Sequence, residues 1–138
     1  MTSKSWWILA ILCLSSCQQV EIEQVVNALS IPQPKNWILV IHPDGCKTCL
    51  DSFYEELMTL APSTYGAIVI LAKNSKTLRM NPLIQNSPIP LYLDEEKLLI
   101  QKDLIKPTDQ ILLFKKGSVE KFDILDYQKV FQSITADK

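Results

Sequence analysis

The 138-residue chain has one arginine, Arg79, and one histidine, His42. With no basic cluster elsewhere, that scarcity removes the electrostatic footprint nucleic-acid binding requires. No internal repeat and no low-complexity tract is present. Long apolar runs are missing as well: the longest, Trp6 to Leu14, counts nine residues, against about 20 for a helix that spans a bilayer. Cysteine is also sparse. Of four, Cys13 and Cys17 fall in the first seventeen residues, and Cys46 and Cys49 form the only Cys-x-x-Cys.

The first of these pairs lies in "MTSKSWWILAILCLSSC". One cation, Lys4, precedes the apolar run, and Ser15 and Ser16 follow it. This is the order of a secretory signal; a buried helix or a short membrane anchor is the alternative. Leu14-Ser15-Ser16-Cys17 further resembles the bacterial lipobox, which implies lipidation of Cys17 and removal of Cys13 with the leader. Several acyl chains on one residue anchor durably where a single chain is marginal. The expected organisation is a leader over 1–17, a tether over 18–35 and one domain over 36–138. Without Lys4 the remaining chain has 13 basic and 15 acidic residues, a net charge of −2. Export leaves Cys46 and Cys49 only each other to pair with, in a compartment where a disulfide persists.

Ahead of the domain, the lead-in "VEIEQVV" fits a strand or one helical turn equally. "WILVIH" and "AIVILA" are short apolar runs of the kind buried on both faces of a sheet. Between them, "CKTCLDSFYEELMTLA" sets Cys49, Phe53, Leu57 and Leu60 at helical spacing, with Glu55 and Glu56 outward. "NSKTLRMNPLIQNS" predicts a short helix and a loop, "IPLYLD" a third strand and "EEKLLIQKDL" a third helix. "DQILLFKKGSVEKFDI" reads as two strands joined at Lys-Gly. A closing helix carries Leu125, Val130, Phe131 and Ile134 on its apolar side. Strand–helix alternation followed by a hairpin predicts an α/β fold with a mixed central sheet.

Cys-x-x-Cys suits a redox pair, a metal site or a structural disulfide. At a helix N-terminus Cys46 gains thiolate character from unpaired N–H groups and the helix dipole, with Lys47 acting in the same sense. The thiolate is the attacking species in disulfide exchange, and Cys49, one turn on, can resolve the mixed disulfide. A bridge closing so small a loop constrains the unfolded chain weakly, which leaves a structural role little to gain.

Strand, tight turn, Cys-x-x-Cys and immediate helix together resemble the thioredoxin family. The strand–helix insertion before the hairpin, and the lipobox, are similar to the TlpA/ResA-like and redoxin branches. The resemblance covers roughly residues 36–135. It implies a thioredoxin-like sheet flanked by helices, and a thiol–disulfide oxidoreductase with no bound cofactor or metal. Its substrates would be the thiols and disulfides of exported proteins. A redox-recycling partner would restore it, and it would act as a monomer held to the membrane by its lipid, on the periplasmic face or cell surface. It also implies a cis-proline facing the cysteines. "IKPTDQILLF" offers Pro107, with Lys106 and Thr108 as the substrate-docking backbone; "SPIPLYLD" offers Pro90. Asp109 and Gln110 intervene between Thr108 and the apolar strand, where the family's strand begins at once. Gly45 stands where thioredoxins carry Trp, Val40 where they carry a buried acid, and Ser52 where TlpA/ResA-like proteins often carry Glu.

Two other classes stay open. Cys46, Cys49 and His42 could hold copper or zinc with a fourth ligand, although His42 also fits a strand-capping role, and Met58 and Met80 fit core or surface filling better than copper ligation. Alternatively the domain is a redox-inactive interaction module, in which Trp37, Phe53 and Tyr54 serve packing alone.

Overall fold

A computed structural model describes residues 21–32 and 35–136. The leader and the Cys17 lipidation site lie outside these residues. Five strands make one open mixed sheet: β1 (Trp37–Ile41), β2 (Gly66–Ile70), β3 (Leu91–Leu93), β4 (Ile111–Lys115) and β5 (Ser118–Phe122), in the order β3-β2-β1-β4-β5. β1, β2 and β3 run parallel, whereas β4 is antiparallel to β1 and to β5. Helices α1 (Ile22–Leu29), α2 (Lys47–Leu57), α3 (Lys76–Arg79), α4 (Pro82–Asn86), α5 (Leu98–Gln101) and α6 (Gln128–Thr135) flank it, with a 3-10 turn at Ile124–Asp126. The mixed α/β architecture therefore stands as expected, including extra elements between β2 and the hairpin.

The period-2 alternation of strands divides the apolar residues between two faces. Leu39, Ile41, Ile68, Ile70, Ile111 and Leu113 face one core with Leu50, Phe53 and Leu57 of α2 and Val130 and Ile134 of α6. Ile38, Val40, Ala67, Val69, Leu112 and Phe114 face the other, with Ile22, Val25, Leu99 and Ile105. Because both faces are covered, β1 and β2 must be apolar almost throughout, as their sequences are. Where β1 and β2 begin, Gly66 pairs with Trp37. A side-chain carbon at position 66 would lie inside the Trp37 ring, so only glycine fits there.

Two sequence expectations are corrected. Part of the proposed tether belongs to the folded unit: α1 buries Ile22 and Val25 against the second core. An eight-residue amphipathic stretch has too few turns to announce itself, and tertiary burial decides its helical state. Leu125, expected on the apolar side of the last helix, is 73% exposed. Asp123 caps the 3-10 turn through the Leu125 N–H at 2.9 Å, which rotates Ile124 inward in its place. Among the described residues no helix is long and apolar enough to cross a membrane.

Candidate functional site

Cys46 and Cys49 sit where the parallel strands end, the edge of an open α/β sheet at which ligands generally bind. β1 stops at Ile41 because the chain must turn: the Asp44 N–H donates to the His42 carbonyl at 2.8 Å, and Gly45 follows at φ +94°. That left-handed backbone is readily available to glycine. It delivers Cys46 to the N-cap of α2 in extended conformation. The two cysteines form a disulfide across the first helical turn, with Cα atoms 5.3 Å apart. The Cys49 N–H donates to Cys46 Sγ at 3.2 Å, and the Leu50 N–H to the Cys46 carbonyl at 3.0 Å. The same N–H would meet a Cys46 thiolate on reduction, and hydrogen bonds to a charged acceptor are the stronger kind. The helix N-terminus thus favours the anionic sulfur at Cys46 in particular.

Both cysteines are half-buried at the rim of the first core. Below them Phe53, one turn beyond Cys49, is fully buried. Its ring meets Tyr127 at 5.6 Å and, edge-on, Phe131 at 5.7 Å. Tyr54 beside it is buried with its hydroxyl unpaired. Burial, and secondarily Asp51, push its phenol up to about 12. Lys47, Asp44 and Asp51 are exposed around the pair.

The cis-proline expectation is corrected. The Lys106–Pro107 and Ile89–Pro90 bonds are both trans, as are all described peptide bonds. Nor is the Lys106 backbone open: its N–H donates to Asp109 Oδ2 at 2.8 Å, and its carbonyl accepts from the Asp109 N–H at 3.0 Å. Lys106, Pro107, Thr108 and Asp109 are therefore a closed β-turn, with proline at the second position, which its fixed φ suits without a cis bond. Asp109 also pairs with Lys121 of β5 at 3.4 Å. Lys106, Pro107 and Thr108 remain exposed on this turn.

The residue that joins β4 to the cysteine loop is Gln110, which the sequence did not single out. Its carbonyl accepts from the His42 N–H at 2.8 Å, and its Oε1 accepts from the Ile124 N–H at 2.9 Å. Its Nε2 lies 3.4 Å from the position a side-chain carbon on Gly45 would take. The available signal was the pair Asp109-Gln110 inserted before the strand.

His42 is half-buried at the end of β1 and bonded through its backbone, in keeping with a strand-capping role. Among the described residues, no three His, Cys, Asp or Glu side chains gather to hold a metal ion. Met58 packs against the first core and Met80 is exposed. No family model, curated protein or solved structure matches the chain.

Proposed function

We propose that this chain is a thioredoxin-like thiol–disulfide exchange protein acting on exported proteins, anchored to the membrane through Cys17. The observation that carries the reading is the Cys46–Cys49 disulfide at the start of α2, with Cys46 as the capping residue. In the reduced state the Cys46 thiolate attacks a substrate disulfide. One substrate sulfur leaves as thiolate while the other joins Cys46. The Cys49 thiolate then attacks Cys46 Sγ, expelling the second substrate thiolate and restoring the Cys46–Cys49 bond. Two electrons pass to the substrate, and the two protons given up by the thiols balance the charge. The oxidised pair runs the same steps backward with a substrate dithiol. A partner protein carrying a dithiol or a disulfide resets the couple. Tethering to the same membrane raises the effective concentration of such a partner.

Equilibration of the couple with glutathione or dithiothreitol, followed by thiol alkylation, tests this. A reversible couple is expected, and its potential assigns the direction. A value below about −230 mV is that of a reductant, and one near −120 mV that of a disulfide donor. Cys49→Ser should accumulate mixed disulfides with exported proteins, and Cys46→Ser should not. A disulfide that never responds to either buffer would remove the reading.

A further inference from the structure

We propose that the side-chain amide of Gln110 is the hydrogen-bond donor that holds a polypeptide substrate over the Cys46–Cys49 pair, an assignment that rests on the exchange function above. A peptide whose sulfur approaches Cys46 must bring its flanking carbonyls down onto residues 43–46. Each carbonyl that leaves water needs a donor in its place. Several backbone donors of this neighbourhood are already engaged. The His42 N–H is held by Gln110, the Asp44 N–H by His42, and the Cys49 N–H by Cys46 Sγ. Lys106, at the head of the facing segment, has both of its backbone groups bound to Asp109.

Gln110 is different because its amide is half used. Oε1 is fixed by the Ile124 N–H at 2.9 Å. Only an oxygen can accept there, so the NH2 group must be the other end, and the flip is determined by the bonding. That NH2 has no hydrogen-bond partner among the described residues, and its nitrogen lies 3.4 Å from the position a side-chain carbon on Gly45 would take. Gly45 presents no side chain to block it. The donor is thus fixed in direction before substrate arrives, so little ordering entropy is lost on binding.

The proposal separates polypeptide disulfides from small ones. A cystine-bridged peptide presents a carbonyl beside the reacting sulfur, and bis(2-hydroxyethyl) disulfide has none. The test uses the full chain in detergent, reduced and then freed of reductant, and measures the rate of oxidation by each compound. Q110E keeps an oxygen for the Ile124 N–H but replaces the donor with an acceptor. Q110M removes both and adds no charge. In both variants the peptide rate should fall about tenfold relative to the small-disulfide rate, the loss of one hydrogen bond in the approach. The potential of Q110M should match wild type. Equal slowing with both compounds would show that Gln110 only braces the loop, and an unchanged ratio would show that it does nothing for substrate; either overturns the proposal. If wild type oxidises with neither compound, the exchange function itself falls, and Gln110 with it.

Discussion

Two loops meet at the end of the central strands, and they are held in opposite ways. The loop leaving β1, residues 42–46, has one short backbone bond within it, a glycine at φ +94° and one half-buried cysteine, Cys46, bridged to Cys49 in α2. The loop entering β4, residues 106–110, is closed by Asp109 on Lys106 from both sides and tied to Lys121. A single backbone bond, His42 to Gln110, opens the contact between them. The open loop takes its shape from what lies beneath it, the capped start of α2 and the Phe53 cluster. The closed loop holds itself. A reactive pair needs room for a partner sulfur, so the rigidity it cannot supply has to come from its surroundings.

The strongest way to break this contrast is Phe53→Ala. Removing a fully buried aromatic from under the cysteines is expected to cost about 3–5 kcal/mol. Urea denaturation measures the loss. A shift in the Cys46–Cys49 potential should accompany it, since the helix end is no longer braced. Hydrogen exchange at Asp109, whose N–H closes the other loop, should stay near wild type relative to the global loss. If the potential is unmoved, the open loop does not depend on that cluster.

Tyr54 gives a smaller effect with a sign that can be worked out. Its phenol is pushed up to about 12 from an ordinary value of 10.0, by burial first and Asp51 second. Above pH 10 the unfolded chain releases this proton while the folded chain keeps it. The contribution is therefore whole below pH 10 and declines as pH rises toward 12, by about 2–3 kcal/mol in total. Paired urea curves for wild type and Tyr54→Phe at pH 8 and pH 11 should show a steeper decline for wild type. At pH 7 the variant should be as stable as wild type or up to about 1 kcal/mol more so, because the lost hydroxyl had no partner. A clear destabilisation at pH 7 would mean the hydroxyl is bonded after all.

The smallest change sharpens the other side. Asp109→Ala opens the self-held loop, at about 0.5–1.5 kcal/mol, since water can replace the lost bonds at an exposed turn. Exchange with a small disulfide should be unaffected. A large fall there would mean that the closed loop shapes the chemistry directly.

Much of the scaffold was legible because its signals are local. "WILVIH", "AIVILA" and the "ILLFKKGSVEKF" hairpin name their strands by apolar runs and a turn glycine, and the position of Cys46 at a helix start follows from the same pattern. What was not legible depends on distant partners. Whether "VEIEQVV" is helix or strand is decided by Ile38 and Val40 across the sheet. That Pro107 sits in a closed trans turn depends on a carboxylate two residues later choosing the Lys106 N–H. The direction of the Gln110 amide is set by Ile124, fourteen residues away. A family resemblance drew the eye to the proline, while the two inserted residues carried the local geometry.

The close fit of Trp37 over Gly66 has a practical consequence. Among the described residues Trp37 is the only tryptophan, and it begins β1 while the cysteines follow its far end. Five strand residues put about 13 Å between the two ends, beyond the range at which a disulfide quenches indole emission by contact. Its fluorescence should therefore track loss of the sheet and stay indifferent to oxidation. In a chain lacking residues 1–17, and with them Trp6 and Trp7, unfolding can then be read optically in the same cuvette in which the thiols are being titrated, with neither signal contaminating the other.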